Sequence, residues 1–159
     1  LNSYQSERFS NVRDYINTAM KMGELLNSIG GSEVSDTVFV QPDGTIKMNT
    51  IKPQLGKGLG ECEDINRGKI FPSFKSDFGR DIDNIFACDP ILITNKKINK
   101  KELRIKSYDC SDIPGMEVIL KKFKTNTLII RPDRFILAST QKNDLLKFTN
   151  TCLNQIYSL

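Results

Sequence analysis

Histidine is absent from this 159-residue chain, and the absence excludes a broad class of chemistry. Without imidazole the chain holds no Ser-His or Cys-His nucleophile pair, no histidine-ligated metal and no imidazole acid–base step. Its four cysteines, Cys62, Cys88, Cys110 and Cys152, lie far apart with no C-x-x-C spacing. That removes the usual zinc pattern and a dithiol redox pair, and leaves free, partly buried thiols in a reducing, cytoplasmic setting as the expectation. No apolar run is long enough to span a bilayer, and no charged-then-apolar signal segment occurs. The net charge of +4 is mild and the acidic residues are interspersed with basic ones, so no strong field for nucleic acid is implied. Carboxylates and lysines remain, but no pair stands out by spacing. No catalytic, cofactor-binding or metal-binding residue is assigned.

What is present begins with a helix. Asn2 and Ser3 can cap it, no Gly or Pro interrupts it before Gly23, and Phe9, Val12, Ile16, Ala19, Met20, Gly23 and Leu26 recur at helical spacing until Gly30-Gly31 stops the pattern. A helix of about 25 residues spans roughly 38 Å, more than one small domain covers. Part of its stripe is therefore expected to face a larger body, with Phe9, Val12, Ile16 and Met20 as the domain-interface residues. The chain opens on Leu1 and enters this helix at once, and it reads as a piece of a longer protein. Residues 1–31 form this helical segment. Residues 32–67 are expected to be an irregular linker with a short hairpin, and residues 68–159 an α/β domain.

In the linker, Thr37–Val40 and Thr45–Met48 flank the turn Gln41-Pro42-Asp43-Gly44 and read as two short strands. Gly56, Gly58 and Gly60 invite a phosphate-cradle reading. No clear strand leads into them and the acidic Glu61-Cys62-Glu63-Asp64 follows, so a structural surface loop is preferred. Beyond Gly68 the apolar run Ile91-Leu92-Ile93 suits a buried strand. Leu103, Ile105 and Ser107 alternate with Arg104 and Lys106 as a half-exposed strand, and Met116, Ile119, Leu120 and Phe123 give a short helix that Pro114-Gly115 starts. Leu128–Ile130, the turn Arg131-Pro132-Asp133-Arg134, and Phe135–Ala138 form the clearest hairpin. A last amphipathic helix carries Leu145, Phe148, Thr149, Cys152, Leu153 and Ile156, capped by Asn143 or Thr140, and its apolar face should pack on the hairpin. Strand, strand, helix, hairpin, helix is the order of a small thioredoxin-like α/β layer with flanking helices. The basic tract Lys96–Lys101 reads as a solvated turn or an anion contact, and Arg131 with Asp133 as a turn-fixing ion pair or a solvated hairpin tip. Glu7 and Arg8 read equally as a pair across a domain boundary or as solvated helix-face charges.

Several segments, in order, resemble the C-terminal part of single-chain FAD-dependent aromatic hydroxylases, in particular 3-(3-hydroxyphenyl)propionate hydroxylase and its polyketide-hydroxylase relatives. Leu1-Asn2-Ser3-Tyr4-Gln5-Ser6-Glu7-Arg8 resembles the L-x-S-Y-x-x-E-R that follows the last helix of the flavin domain. Gly68-Lys69-Ile70-Phe71-Pro72 resembles G-R-x-F-P. Gly79 to Thr94, with Asp81 and Asp83, resembles G…L-D-D…G-x-F-x-L-L, and Leu128 to Ala138 resembles V-L-V-R-P-D-x-x-V-A. The chain departs from the pattern at Ser73, at Ile82 between the two aspartates, at Arg134 where glycine is common, and at Ser139-Thr140 in place of Trp-Arg.

The resemblance implies a long helix followed by a thioredoxin-like domain without its dithiol. It implies FAD and NAD(P)H for the whole enzyme, which would form a flavin hydroperoxide and transfer one oxygen to a phenolic ring. The Rossmann glycines and the later Gly-Asp segment that hold the flavin have no counterpart here. The implied role is therefore non-catalytic: docking on the FAD-binding domain of the same polypeptide, stabilising the assembly or contributing to a homodimer. Two alternatives are a stand-alone thioredoxin-like interaction module using the same stripe, and a single-strand RNA binder built on Lys96–Lys101 and Lys121–Lys124.

Overall fold

The computed structural model describes residues 2–27, 38–40, 46–48, 54–58, 63–73 and 89–157. The chain divides into two compact units, Leu1–Gly56 and Lys57–Leu159. In the first, α1 (Asn2–Asn27) runs for 26 residues; the side chains of Asn2 and Ser3, the expected caps, lie outside the described residues. The hairpin follows as expected, with β1 (Val38–Val40) antiparallel to β2 (Ile46–Met48) and Phe39 opposite Lys47. Its Pro42-Asp43 turn, and the side chain of Leu26 at the end of the helical stripe, lie outside the described residues.

The second unit is a four-stranded sheet between two helices, built from β3 (Ile91–Thr94), β4 (Lys106–Asp109), α2 (Met116–Lys122), β5 (Thr127–Ile130), β6 (Ile136–Thr140) and α3 (Leu145–Tyr157). The α/β class read from the sequence holds. The strand order is β4-β3-β5-β6, with β3 parallel to β4 and the two other pairs antiparallel. Strands β3 and β5 lie in the centre and are buried on both faces, which is why both are continuous apolar runs rather than alternating ones. The pleat sends Ile91, Ile93, Leu128, Ile130 and Ile136 toward α2, with Met116, Ile119, Leu120 and Phe71. It sends Leu92, Ile129, Leu137 and Ala138 toward α3, with Cys152 and Leu153. The final helix thus packs on the hairpin, as its apolar spacing predicts.

Two elements differ from the sequence reading. The strand expected from Leu103 begins only at Lys106; Leu103 and Ile105 keep the alternating burial but reach the α3-side core from the loop ahead of β4. The cap of α3 is neither Asn143 nor Thr140. The Asp144 carboxylate accepts from Lys147 N–H at 2.9 Å, while Asn143 Oδ1 takes the Lys96 ammonium at 2.6 Å and Thr140 Oγ1 takes Lys142 N–H at 3.1 Å. Three nearby cap-competent residues, Thr140, Asn143 and Asp144, divide three donors among them, and only the last is placed to serve the helix.

The hairpin between β5 and β6 carries a bulge. Ile130 pairs with Ile136 and Ile129 with Ala138, so Leu137 is the extra residue. Beyond it the pairing phase is reversed, and Ser139 N–H leaves the sheet on the outer side of β6. The segment Glu63–Phe71 meets it there. Gly68 N–H donates to Ile136 O (2.8 Å), Ile136 N–H to Lys69 O (2.9 Å) and Phe71 N–H to Arg134 O (2.8 Å), and Ile70 bridges Phe135. The Asp64 carboxylate then accepts both the Ser139 N–H and its hydroxyl, together with Asn66 N–H at 2.9 Å. Asn66, 3 % exposed, donates from its amide to Phe123 O at 2.9 Å and Ser139 Oγ at 3.0 Å. Phe71 stacks on Phe123 with centroids 6.4 Å apart. A stretch expected to be irregular linker up to Arg67 therefore ends as a strap fastened along the edge of the sheet. Asn66→Ala is expected to lower unfolding free energy by about 1–3 kcal/mol, because it strands a buried carbonyl and loosens Asp64. Urea denaturation followed by circular dichroism measures it.

Candidate functional site

The four residues predicted to form an interface share one face of α1 and are all solvent-accessible: Phe9 62 %, Val12 50 %, Ile16 54 % and Met20 60 %. Tyr4, Tyr15 and Met22 widen the exposed apolar arc, and Gly23 within it has open space where a Cβ would stand. Arg8 and Arg13 lie 5.9 Å from the ring centroids of Tyr4 and Phe9, so cations flank the aromatic rings.

The opposite face is the one used inside the unit. Glu7 and Asn11, one turn apart, are 2 % and 8 % exposed. Glu7 O accepts from Gly56 N–H at 2.8 Å, and Leu55 beside it is buried. Glu7 is thus not the solvated helix-face charge that the sequence permits. The amphipathic pattern alone predicts the reverse arrangement, with the apolar stripe inward and the polar face in water.

The same contact fixes the role of Gly56 in the glycine-rich loop. A Cβ on Gly56 would stand 2.7 Å from Ser6 O and 3.0 Å from Ser10 Oγ. This glycine lets a backbone approach a helix flank, and its N–H is committed to Glu7. A pyrophosphate has no seat at Gly56, so no step of flavin chemistry is derived from this chain; Gly60 lies outside the described residues.

The charged segments resolve as structural contacts. Lys96 Nζ donates to Gln141 O, Lys142 O and Asn143 Oδ1, and Lys100 pairs with Asp112 at 2.6 Å, so the basic tract is fixed to its own domain at two points. The Asp112 carboxylate holds the Lys100 ammonium above its ordinary range. Arg131 pairs with Asp133 at 3.0 Å, within the turn, and Asp133 Oδ1 accepts from Phe135 N–H. That is the turn-fixing pair among the alternatives. Arg134, where the resembled pattern commonly has glycine, sits at φ 67, the left-handed region that glycine favours.

Between β6 and α3 lies a cavity of about 450 Å³, lined among others by Asp64, Ser139, Asp144, Phe148 and Cys152. Its carboxylates are already committed, Asp64 to the strap and Asp144 to the helix start. Cys110 is a free thiol and Cys152 is buried, and Cys62 and Cys88 lie outside the described residues. Burial pushes the Cys110 thiol up to about 11, with Glu117 and Asp109 adding to the shift, and Cys110 Sγ donates to Thr94 O. Asp109 is held below its usual range by the Ser111 hydroxyl and backbone. Among the described residues no group of three or more Cys, Asp or Glu gathers to hold a metal, and no helix is long and apolar enough to cross a membrane.

No family model matches the chain, and no curated protein or solved structure does either.

Two outcomes follow from this geometry. A thiol titrating near 11 is about 0.1 % ionised at pH 8, so alkylation of Cys110 by iodoacetamide should run roughly a hundredfold slower than that of an ordinary exposed thiol; peptide-resolved mass spectrometry of the folded chain reads the rate. Gly56→Ala should destabilise the first unit by about 1–3 kcal/mol through overpacking against the helix backbone, seen as a loss of α1 helicity on heating.

Proposed function

We propose that this chain is a non-catalytic assembly module, the C-terminal region of an FAD-dependent aromatic-ring monooxygenase in which the apolar face of α1 is the joint to the FAD-binding domain of the same polypeptide. The observation that carries the reading is the inversion of α1, which buries Glu7 and Asn11 while Phe9, Val12, Ile16 and Met20 stay in water. Seven large apolar side chains along one helix are an exposed patch of the kind that marks a contact site.

Other features support the same assignment. The strand order β4-β3-β5-β6, with its one parallel pair, α2 between β4 and β5 and α3 after β6, is compatible with a thioredoxin-like layer. The connection from β3 to β4 carries no helix, and a thiol with a raised pKa at Cys110 is the opposite of an activated redox cysteine. Arg134 in a left-handed conformation accounts for the glycine common at that place in the resembled pattern. The free thiol of Cys110 suits a reducing cytoplasm. The flavin, the reduced nicotinamide and the oxygen chemistry belong to the other side of the joint.

The test compares the chain alone with the chain joined to its flavin-binding part. Alone, it is expected to be folded and colourless and to leave NADH unoxidised; a flavin band co-purifying with these 159 residues contradicts the assignment. Ile16→Glu and Met20→Glu should change the stability of the chain alone by no more than about 0.5 kcal/mol, as exposed positions do. In the joined protein each should cost about 2–4 kcal/mol and release flavin on mild heating, because each places a charge in a buried contact. Equal, small effects in both settings would remove the joint.

A further inference from the structure

The two outer strands of the four-stranded sheet are protected from strand pairing in different ways. Strand β4, Lys-Ser-Tyr-Asp, carries a charge at each end, and charged side chains on an edge discourage a second strand. Strand β6, Ile-Leu-Ala-Ser-Thr, carries none; it opens on three apolar residues and holds no proline or glycine, a composition that favours pairing between chains. Its protection comes from elsewhere in the sequence. The outward backbone groups of the hairpin at Arg134, Ile136 and Ser139 are all bonded to the Glu63–Phe71 strap.

We propose that the Glu63–Phe71 strap is a removable edge guard, and that lifting it opens β6 to antiparallel pairing with β6 of a second copy of this chain. The Asp64 carboxylate is the fastening. It stands where a partner strand's carbonyl would stand, accepting Ser139 N–H, and the bulge at Leu137 is what turns that N–H outward. A second copy is the fitting occupant because β6 presents the same donors and acceptors on each copy, in a stretch with no charge to repel itself. This inference concerns the sheet edge of the second unit and is independent of the joint assigned to α1.

The experiment uses the full 159-residue chain with Asp64→Ala and Asn66→Ala, singly and together. Trypsin cleavage after Lys69 reports strap lifting, sedimentation velocity reports association, and hydrogen exchange reports the Ser139 amide. The lifted variants should show accelerated cleavage and a dimer that grows with protein concentration over a roughly hundredfold range. Protection of Ser139 should be regained only in the dimer, and adding Ser139→Lys should return the protein to its unassociated state. Asn66→Ala alone, which leaves Asp64 in place, should give the same result at smaller amplitude and serves if Asp64→Ala does not fold. Faster cleavage with unchanged sedimentation overturns the proposal. So does a dimer that ignores Ser139→Lys, since its contact would lie elsewhere.

Discussion

The contact between Asp64 and Ser139 is the point on which the second unit turns. A four-stranded sheet has two outer strands whose backbone groups need partners or water, and β6 has no charge of its own to keep other strands away. One carboxylate accepting a backbone N–H and a hydroxyl closes that edge, and through Asn66 the same contact reaches the C-terminal end of α2. There Phe123 O accepts the Asn66 amide, Phe123 stacks on Phe71, and Lys124 adopts a left-handed φ of 51. Sheet edge, helix end and strap are fastened by a few bonded groups drawn from distant parts of the chain. Breaking one leaves the others unsatisfied, and a small polar network in a largely buried setting is for that reason worth more than its separate bonds.

The first unit works by a different logic. Its helix turns a polar flank toward its own chain and an apolar flank toward water. The arrangement has a cost for an isolated helix, since exposed aromatic and aliphatic surface gains nothing from folding alone. It becomes economical when a second body covers the stripe. That contrast, a sealed sheet in one unit and an exposed apolar helix face in the other, is the observation behind the proposed joint at α1.

Sequence pattern carried the regular elements well, because α1 and α3 hold a period of 3.6 and the hairpin strands are short apolar runs on either side of a Pro-Asp turn. The α/β class followed from their order. It carried the polar details poorly. Glu7 looked like a surface charge because pattern reasoning sends glutamate outward, and only the approach of Gly56 reveals why it is buried. Thr140, Asn143 and Asp144 are all competent caps, and the choice among them rests on where Lys96 comes to lie, some 45 residues away along the chain. The strap was invisible: Asp64, Asn66 and Gly68 have no periodicity, and their partner Ser139 is separated from Asp64 by 75 residues. A single signal was available in the resembled motif that begins at Gly68, whose glycine has a φ of 74. The apolar stripe of α1 was legible as a stripe, and the structure adds that it faces water.

Native-state hydrogen exchange on the intact chain tests the account most directly, through the Ser139 amide. If Asp64 closes the edge, this amide is protected far beyond the exposed amides near Lys142 and exchanges only when the strap lifts or the sheet itself opens. Exchange of Ser139 in step with the exposed amides near Lys142, while the central strands remain protected, would contradict it: the edge would then be open and the strap only resting on it.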